Sequence, residues 1–174
     1  AKKCYENLID QGIKDHRIFA NYGIILMHSK NLNEGEIYLR KSIEIKPKIS
    51  ETNHNLGTLL INQGKLKEGE IYLRKAFEIN PNLTCVYHSL SKLKKSNDDK
   101  LLKEKIFSKN VLKNKSKYDQ VNIYFSRANI LHKDKNYSES AKNLELGNKL
   151  QLDLKPSNAD RLLKRSKQLL LESE

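Results

Sequence analysis

Apolar residues recur along the chain at spacings of three and four. Leu56, Leu59 and Leu60 form one such stripe, and Ile71, Leu73, Ala76 and Ile79 form the next. This is the spacing of a helix and not the alternation of a strand. The stripes come in pairs, separated by short polar or glycine-bearing turns. Pro47 and Pro81 close two of the pairs. Each lacks an amide hydrogen and disfavours helical geometry in the residue before it, so each should end a second helix. The pattern predicts helical hairpins along the chain and no sheet.

The hairpins are copies of one another. Residues 34–41 read EGEIYLRK, and residues 68–75 read EGEIYLRK again, an offset of 34. Asn21 and Asn55, Gly23 and Gly57, Gly35 and Gly69, and Pro47 and Pro81 keep the same offset. Aligning 16–49 with 50–83 gives 15 identities in 34 positions. A glycine inside a helix costs about 1 kcal/mol relative to alanine. Its recurrence at 23, 35, 57 and 69 therefore predicts close approach of two helices, with Leu26 and Leu39 filling the seam. One hairpin cannot cover its own apolar face, so neighbours must stack, about three being needed for stability.

A period of 34 with this arrangement resembles the tetratricopeptide repeat (TPR). Leu56, Gly57 and Leu60, then Gly69, Leu73, Ala76 and Pro81, stand at that family's large and small positions. Tyr22, Gly23, Leu26, Gly35, Leu39, Ser42 and Pro47 do so one period earlier. The resemblance implies an all-α, right-handed superhelical solenoid of helix-turn-helix units with a C-terminal capping helix. Residues 1–15 then read as the second helix of a truncated upstream repeat, with Tyr5 and Leu8 as its apolar positions. Residues 16–49 and 50–83 are full repeats. Residues 84–117 and 118–153 are divergent ones, and 154–174 form a C-terminal helix or linker. In the third unit Tyr87 and Leu90 fit, whereas Ser91 and Lys94 depart from the pattern. Asn97, Asp98 and Asp99 break the helix early, and a fresh helix is expected from about Lys100 to Lys113. In the fourth unit Ala128, Leu131, Ser140, Leu144 and Gly147 fall in register, and a last helix is expected across Ala159–Leu171, capped by Ser157 or Asn158.

Composition narrows the function. The chain has 174 residues, 37% of them hydrophobic and 31% charged. No apolar run approaches the roughly 18 residues that span a bilayer. Cys4 and Cys85 make no CxxC pair, which predicts reduced thiols and a cytoplasmic location. The opening Ala1-Lys2-Lys3-Cys4-Tyr5 carries no signal peptide and reads as a cut inside a longer protein. No GxGxxG, GxxxxGK[ST] or HExxH motif occurs, so the expectation is no catalytic residue, no metal and no cofactor in this chain.

Binding is the function the resemblance implies. In TPR arrays the first helices line a concave face that holds a peptide or a partner helix. Carried over by position, that face takes Asn21, His54, Asn55, Thr58, Asn62, His88, Lys92, Lys95, Asn129 and His132. His54 and His88 lie one period apart and should stack on adjacent first helices. They read as polar groove residues near neutral charge in preference to a metal-binding or pH-sensitive pair. Asn21 and Asn55 could hydrogen-bond the backbone of an extended peptide. The carboxylate clamp of some TPR proteins needs Lys and Asn where this chain has Ala20 and Ile24, so chaperone C-terminal tails are disfavoured.

Charge adds a second surface. The formal net charge is +12. Ten lysines between Lys92 and Lys117 stand against Asp98, Asp99 and Glu104, a local net of +7. Solvated helix faces are the first reading of this block and an acidic protein partner the second. Nucleic acid comes last, since only Phe107 and Tyr118 stand nearby as stacking groups.

One further resemblance covers the divergent part. Asp119-Gln120-Val121 and the run from Tyr124 to Lys133 look like the segment closing the repeat region in bacterial TPR–sulfotransferase fusions. Leu154-Lys155-Pro156-Ser157-Asn158 and the opening run from Gln11 to Arg17 fit the same pattern. That resemblance implies a sulfotransferase domain in cis, using the sulfate donor PAPS, beyond Glu174. The repeats would then position an acceptor or tether a partner.

Overall fold

Nine helices and no strand make up the described residues of the computed structural model, 2–93 and 100–155. The chain divides into two compact units, residues 1–94 and 95–174. The first holds α1 (Lys2–Asp10), α2 (His16–His28), α3 (Leu32–Ile45), α4 (Ser50–Asn62), α5 (Leu66–Ile79) and α6 (Thr84–Lys92). The second holds α7 (Lys100–Phe107), α8 (Lys117–Lys133) and α9 (Tyr137–Leu154).

In the first unit α2 pairs with α3 and α4 with α5, and α3 packs on α4 to join the two hairpins. The stripes predicted from spacing enter this core except at Ile71 and Ile79, which stay exposed. Leu26, Leu39, Leu56, Leu59, Leu60 and Leu73 are wholly buried. Leu39, Leu56, Leu59 and Leu60 cluster at the junction, ringed by Ile24, Met27, Leu32, Ile43 and Tyr72. Each such leucine contributes about 1.5–3 kcal/mol by leaving water, so the junction is a true core and not a loose contact.

The paired glycines set how near the helices come. A Cβ on Gly57 would lie 2.8 Å from the Gly69 carbonyl oxygen and 2.9 Å from Leu73 Cγ. A Cβ on Gly23 would lie 3.0 Å from the Gly35 oxygen and 2.8 Å from Leu39 Cγ. The backbones of α2 and α3, and of α4 and α5, thus touch where the glycines face each other.

The turns repeat one device. Lys30, Gly64 and Lys135 adopt positive φ of 63°, 83° and 62° after α2, α4 and α8. The next amide then reaches back five residues: Asn31 to the Leu26 oxygen, Lys65 to Leu60 and Asn136 to Leu131, at 2.9, 2.9 and 2.8 Å. Gly12, at φ 77°, ends α1 in the same way, with the Ile13 amide on the Leu8 oxygen at 3.2 Å. This left-handed cap satisfies carbonyls that a helix end would leave bare.

Buried polar groups close the junctions between helices, both within and between pairs. Asn53 donates to the oxygens of Pro47 and Ile49 at 2.9 and 2.8 Å. One period on, the Tyr87 hydroxyl donates to the Pro81 oxygen, so a different side chain performs the same task. Ser42 donates to the His16 oxygen at 2.7 Å, and Ser50 to the Ala76 oxygen at 2.7 Å.

The second unit is built on the α8–α9 hairpin. Gly147 lets the Phe125 ring approach, for a Cβ there would stand 2.7 Å from it. Ser140 donates to the Ala128 oxygen at 2.8 Å. Leu102 and Ile106 of α7 are buried, and Arg127 Nε on α8 donates to the Ile106 oxygen at 3.0 Å.

Two expectations are corrected. The helix expected to run to Lys113 ends at Phe107. Ser108, Asn110 and Asn114 favour local turns over helix, and three successive i→i+3 bonds, from Val111, Lys113 and Lys115, follow instead. The boundary between the units falls inside 84–117, so α6 and α7 do not share a unit. The sequence explains this: Lys94 and Ser91 stand where Leu60 and Gly57 make the seam of the preceding pair. The last helix expected at 159–171 and its capping residues lie outside the described residues.

Candidate functional site

The face formed by the first helices carries the predicted binding residues of the first unit. Asn21 on α2 is exposed, but its amide donates to the Tyr5 hydroxyl on α1 at 3.2 Å. His54, Asn55 and Thr58 are partly exposed on α4, and Asn62 stands exposed at its end. His88 is partly exposed on α6, where Lys92 is exposed in the last turn.

His54 and His88 draw the two helices together differently from a simple stack. His54 Nε2 lies 3.0 Å from Ser89 Oγ on α6 and 3.5 Å from Thr58 Oγ1 one turn along its own helix. The first separation is a hydrogen bond and the second too long to be a good one. Burial pushes His54 below the ordinary imidazole value. Burial, with Lys92 and His54 nearby, takes His88 down to about 4. Both rings are therefore neutral at pH 7, and between α4 and α6 they offer hydrogen-bonding groups beside the charge of Lys92.

Asn129 and His132 belong to α8 in the second unit. Asn129 is partly exposed, while His132 is exposed and packs edge-on against the Tyr137 ring, centroids 5.2 Å apart. Lys95 lies outside the described residues. Two lysines of the basic block are engaged within the second unit: Lys103 with Asp134 at 2.8 Å and Lys117 with Asp153 at 3.4 Å.

A second polar surface, formed by the second helices, escaped the sequence reading. Tyr38 and Tyr72 are the tyrosines of the duplicated octapeptide. Tyr72 packs between the two repeats. Arg40 of α3 lies over its ring at 5.6 Å, donates to its hydroxyl at 3.0 Å, and reaches Glu68 of α5. The same guanidinium is held by Glu36 at 2.8 Å, which also accepts from Lys65 at 2.7 Å. Burial raises the Glu36 carboxyl, but its bonds to Lys65, Arg40 and Gln63 outweigh that and hold it below the usual carboxylate range. Tyr38 behaves otherwise. It borders an open cavity of about 350 Å³ with Glu6, Asp10 and Tyr22. The signal for this difference was in the sequence, at position 6, where the period demands arginine and the chain has glutamate.

Comparison with known proteins agrees with the hairpin geometry. The tetratricopeptide repeat family matches residues 16–49 and 50–83. The solved structure described as "Crystal structure of MamA" superposes with a TM-score of 0.57, covering 87% of each chain at 12% identity. At that identity the likeness speaks for the fold alone. No curated protein matches the chain. None of these comparisons supports the sulfotransferase-fusion resemblance.

Proposed function

We propose that this chain, with tetratricopeptide repeats at 16–49 and 50–83, is a protein-interaction scaffold whose first-helix face receives a segment of a partner polypeptide. One observation carries the reading. Helices α4 and α6 set Asn55, Thr58, Ser89 and His88 along a partly exposed strip, beside a buried apolar core. Polar side chains held by packed helices can pair with a peptide backbone at little ordering cost. Both imidazoles are neutral at pH 7, so they suit a segment read through amide hydrogen bonds. Chaperone-tail carboxylates would need the Lys and Asn that Ala20 and Ile24 replace.

The test is binding of a peptide array to the full chain beside the double variant Asn55→Ala plus His88→Ala. About a tenfold or greater loss, 1.4 kcal/mol, is expected for groove ligands. Unchanged binding of every ligand would dismiss the first-helix face as the site.

An acidic partner for residues 92–117 is the second reading. The lysines not engaged by Asp134 or Asp153 favour it. The tether to a following sulfotransferase domain rests only on the wording of 119–133 and 154–158, and the coding sequence past Glu174 decides it.

A further inference from the structure

The duplicated octapeptide builds the same acceptor twice, and among the described residues one copy receives an arginine and the other does not. In the second copy Glu68 and Tyr72 receive Arg40, and Lys75 Nζ lies 5.0 Å from the Tyr72 ring centroid. One period earlier stand Glu34, Tyr38 and Lys41, with Lys41 Nζ again 5.0 Å from the ring of Tyr38. The residue one period before Arg40 is Glu6, and the one before Glu36 is Lys2. The supporting i,i+4 ion pair is therefore reversed: Glu36–Arg40 at 2.8 Å becomes Lys2–Glu6 at 3.6 Å. A carboxylate now points where the fold elsewhere places a guanidinium.

The result is a cavity between α1, α2 and α3. Glu6, Asp10, Tyr22 and Tyr38 line it, with Lys3 and Asn7 at the edge. Glu6 accepts from the Tyr22 hydroxyl at 3.0 Å, and Glu34 accepts from Asn31 at 2.6 Å. Tyr22 and Tyr38 stand edge to face with centroids 4.7 Å apart, a firm aromatic wall. Burial first, and then the Glu6 and Glu34 carboxylates, push both phenols above their ordinary value. The lysines nearby do not argue against a cation, because Arg40 itself sits among Lys65 and Lys75.

We propose that this cavity binds the guanidinium of an arginine side chain on a partner polypeptide. The planar group stacks on Tyr38, as Arg40 does on Tyr72, and meets the carboxylates of Glu6 and Asp10, which line the cavity. Arginine suits the site better than lysine because it combines stacking with a forked set of donors. The site lies on the second helices and stands or falls independently of the first-helix face.

The test reads amide and tyrosine NMR shifts of the full chain titrated with N-acetyl-arginine amide, with N-acetyl-citrulline amide as the neutral isostere. Saturable shifts at Glu6, Asp10, Tyr22 and Tyr38 with arginine, and none with citrulline, are expected. The double variant Lys2→Glu plus Glu6→Arg rebuilds the Glu36–Arg40 pair inside the cavity. It should melt at or above the parent temperature and bind the arginine probe about tenfold more weakly, or not at all. Tyr38→Leu, which keeps an apolar side chain at that position, should also weaken binding. Equal shifts with citrulline, or saturation undiminished in a folded double variant, overturns the proposal. So does the lack of any saturable shift in the parent.

Discussion

Position 57 shows how little room the seam leaves. Alanine would add helix propensity of about 1 kcal/mol. Its methyl, however, would press on the Gly69 carbonyl oxygen at 2.8 Å, a backbone atom that cannot swing aside. Overpacking of this kind costs typically about 1–3 kcal/mol, so the clash wins. Gly57→Ala should lower the urea midpoint without altering the slope, and an unchanged or higher midpoint would show that the helices can part freely. Other positions teach a subtler lesson. The same carbonyl, at Pro47 and at Pro81, is met by an asparagine in one copy and a tyrosine in the next. Amide and phenol share donor capacity and not size, so an alignment by identity misses the equivalence. Lys30 likewise holds the left-handed turn that Gly64 holds with less strain.

At the scale of helices, the sequence was legible wherever glycine, leucine and proline recur together. The repeats at 16–49 and 50–83 were read from these residues alone, since packing and period agree there. Legibility failed at 108–115, where Val111 and Leu112 keep a helical look but serine and asparagine turn the backbone into successive loops. It failed too between α4 and α6, where the repeat placed the histidines on neighbouring helices but not the Ser89 hydroxyl that meets His54. Those histidines give this scale its prediction. Both are depressed in the fold, so the unfolded chain binds protons first. Their contribution to stability is complete above about pH 6.5, the unfolded value, and is lost as pH falls toward about 4, the His88 value. Glu51 favours the protonated form of His54, while Lys92 disfavours that of His88. Melting temperature should therefore fall between pH 6.5 and 4, and less steeply in His88→Gln. Parallel profiles for the two proteins would remove His88 from the account.

For the molecule as a whole, net charge and local ion pairs pull in opposite directions. A formal charge of +12 on 174 residues repels itself at low ionic strength. The ion pairs that salt would weaken are mostly half exposed, Lys103 and Asp134 at 42% each and Lys117 and Asp153 at 58% and 53%. Exposed pairs of this sort are worth about 0–1 kcal/mol, so relief of repulsion should dominate. Melting temperature is expected to rise from about 10 mM to 150 mM salt, as the screening length drops from about 30 to 8 Å. A fall over that range would assign the larger share to the bridges. The division of the chain near residue 94 belongs to this scale as well. It was written in the sequence as Ser91 at a glycine position and Lys94 at a leucine position, but two broken positions read as divergence until the contacts are seen.

The hydroxyl exchange between the two hairpins has a consequence for how the chain finds its shape. Because the octapeptide is printed twice, α5 offers α2 almost the same face as α3 does, and a nascent chain meets a decoy partner one repeat away. Docked on α2, α5 would bring Ala76 to the His16 carbonyl and leave it without a hydroxyl, while α3 docked on α4 would crowd Ser42 and Ser50 into one junction. Two serines, placed on opposite members of their pairs, thus add to the differences between α2 and α4 that mark each helix's own mate.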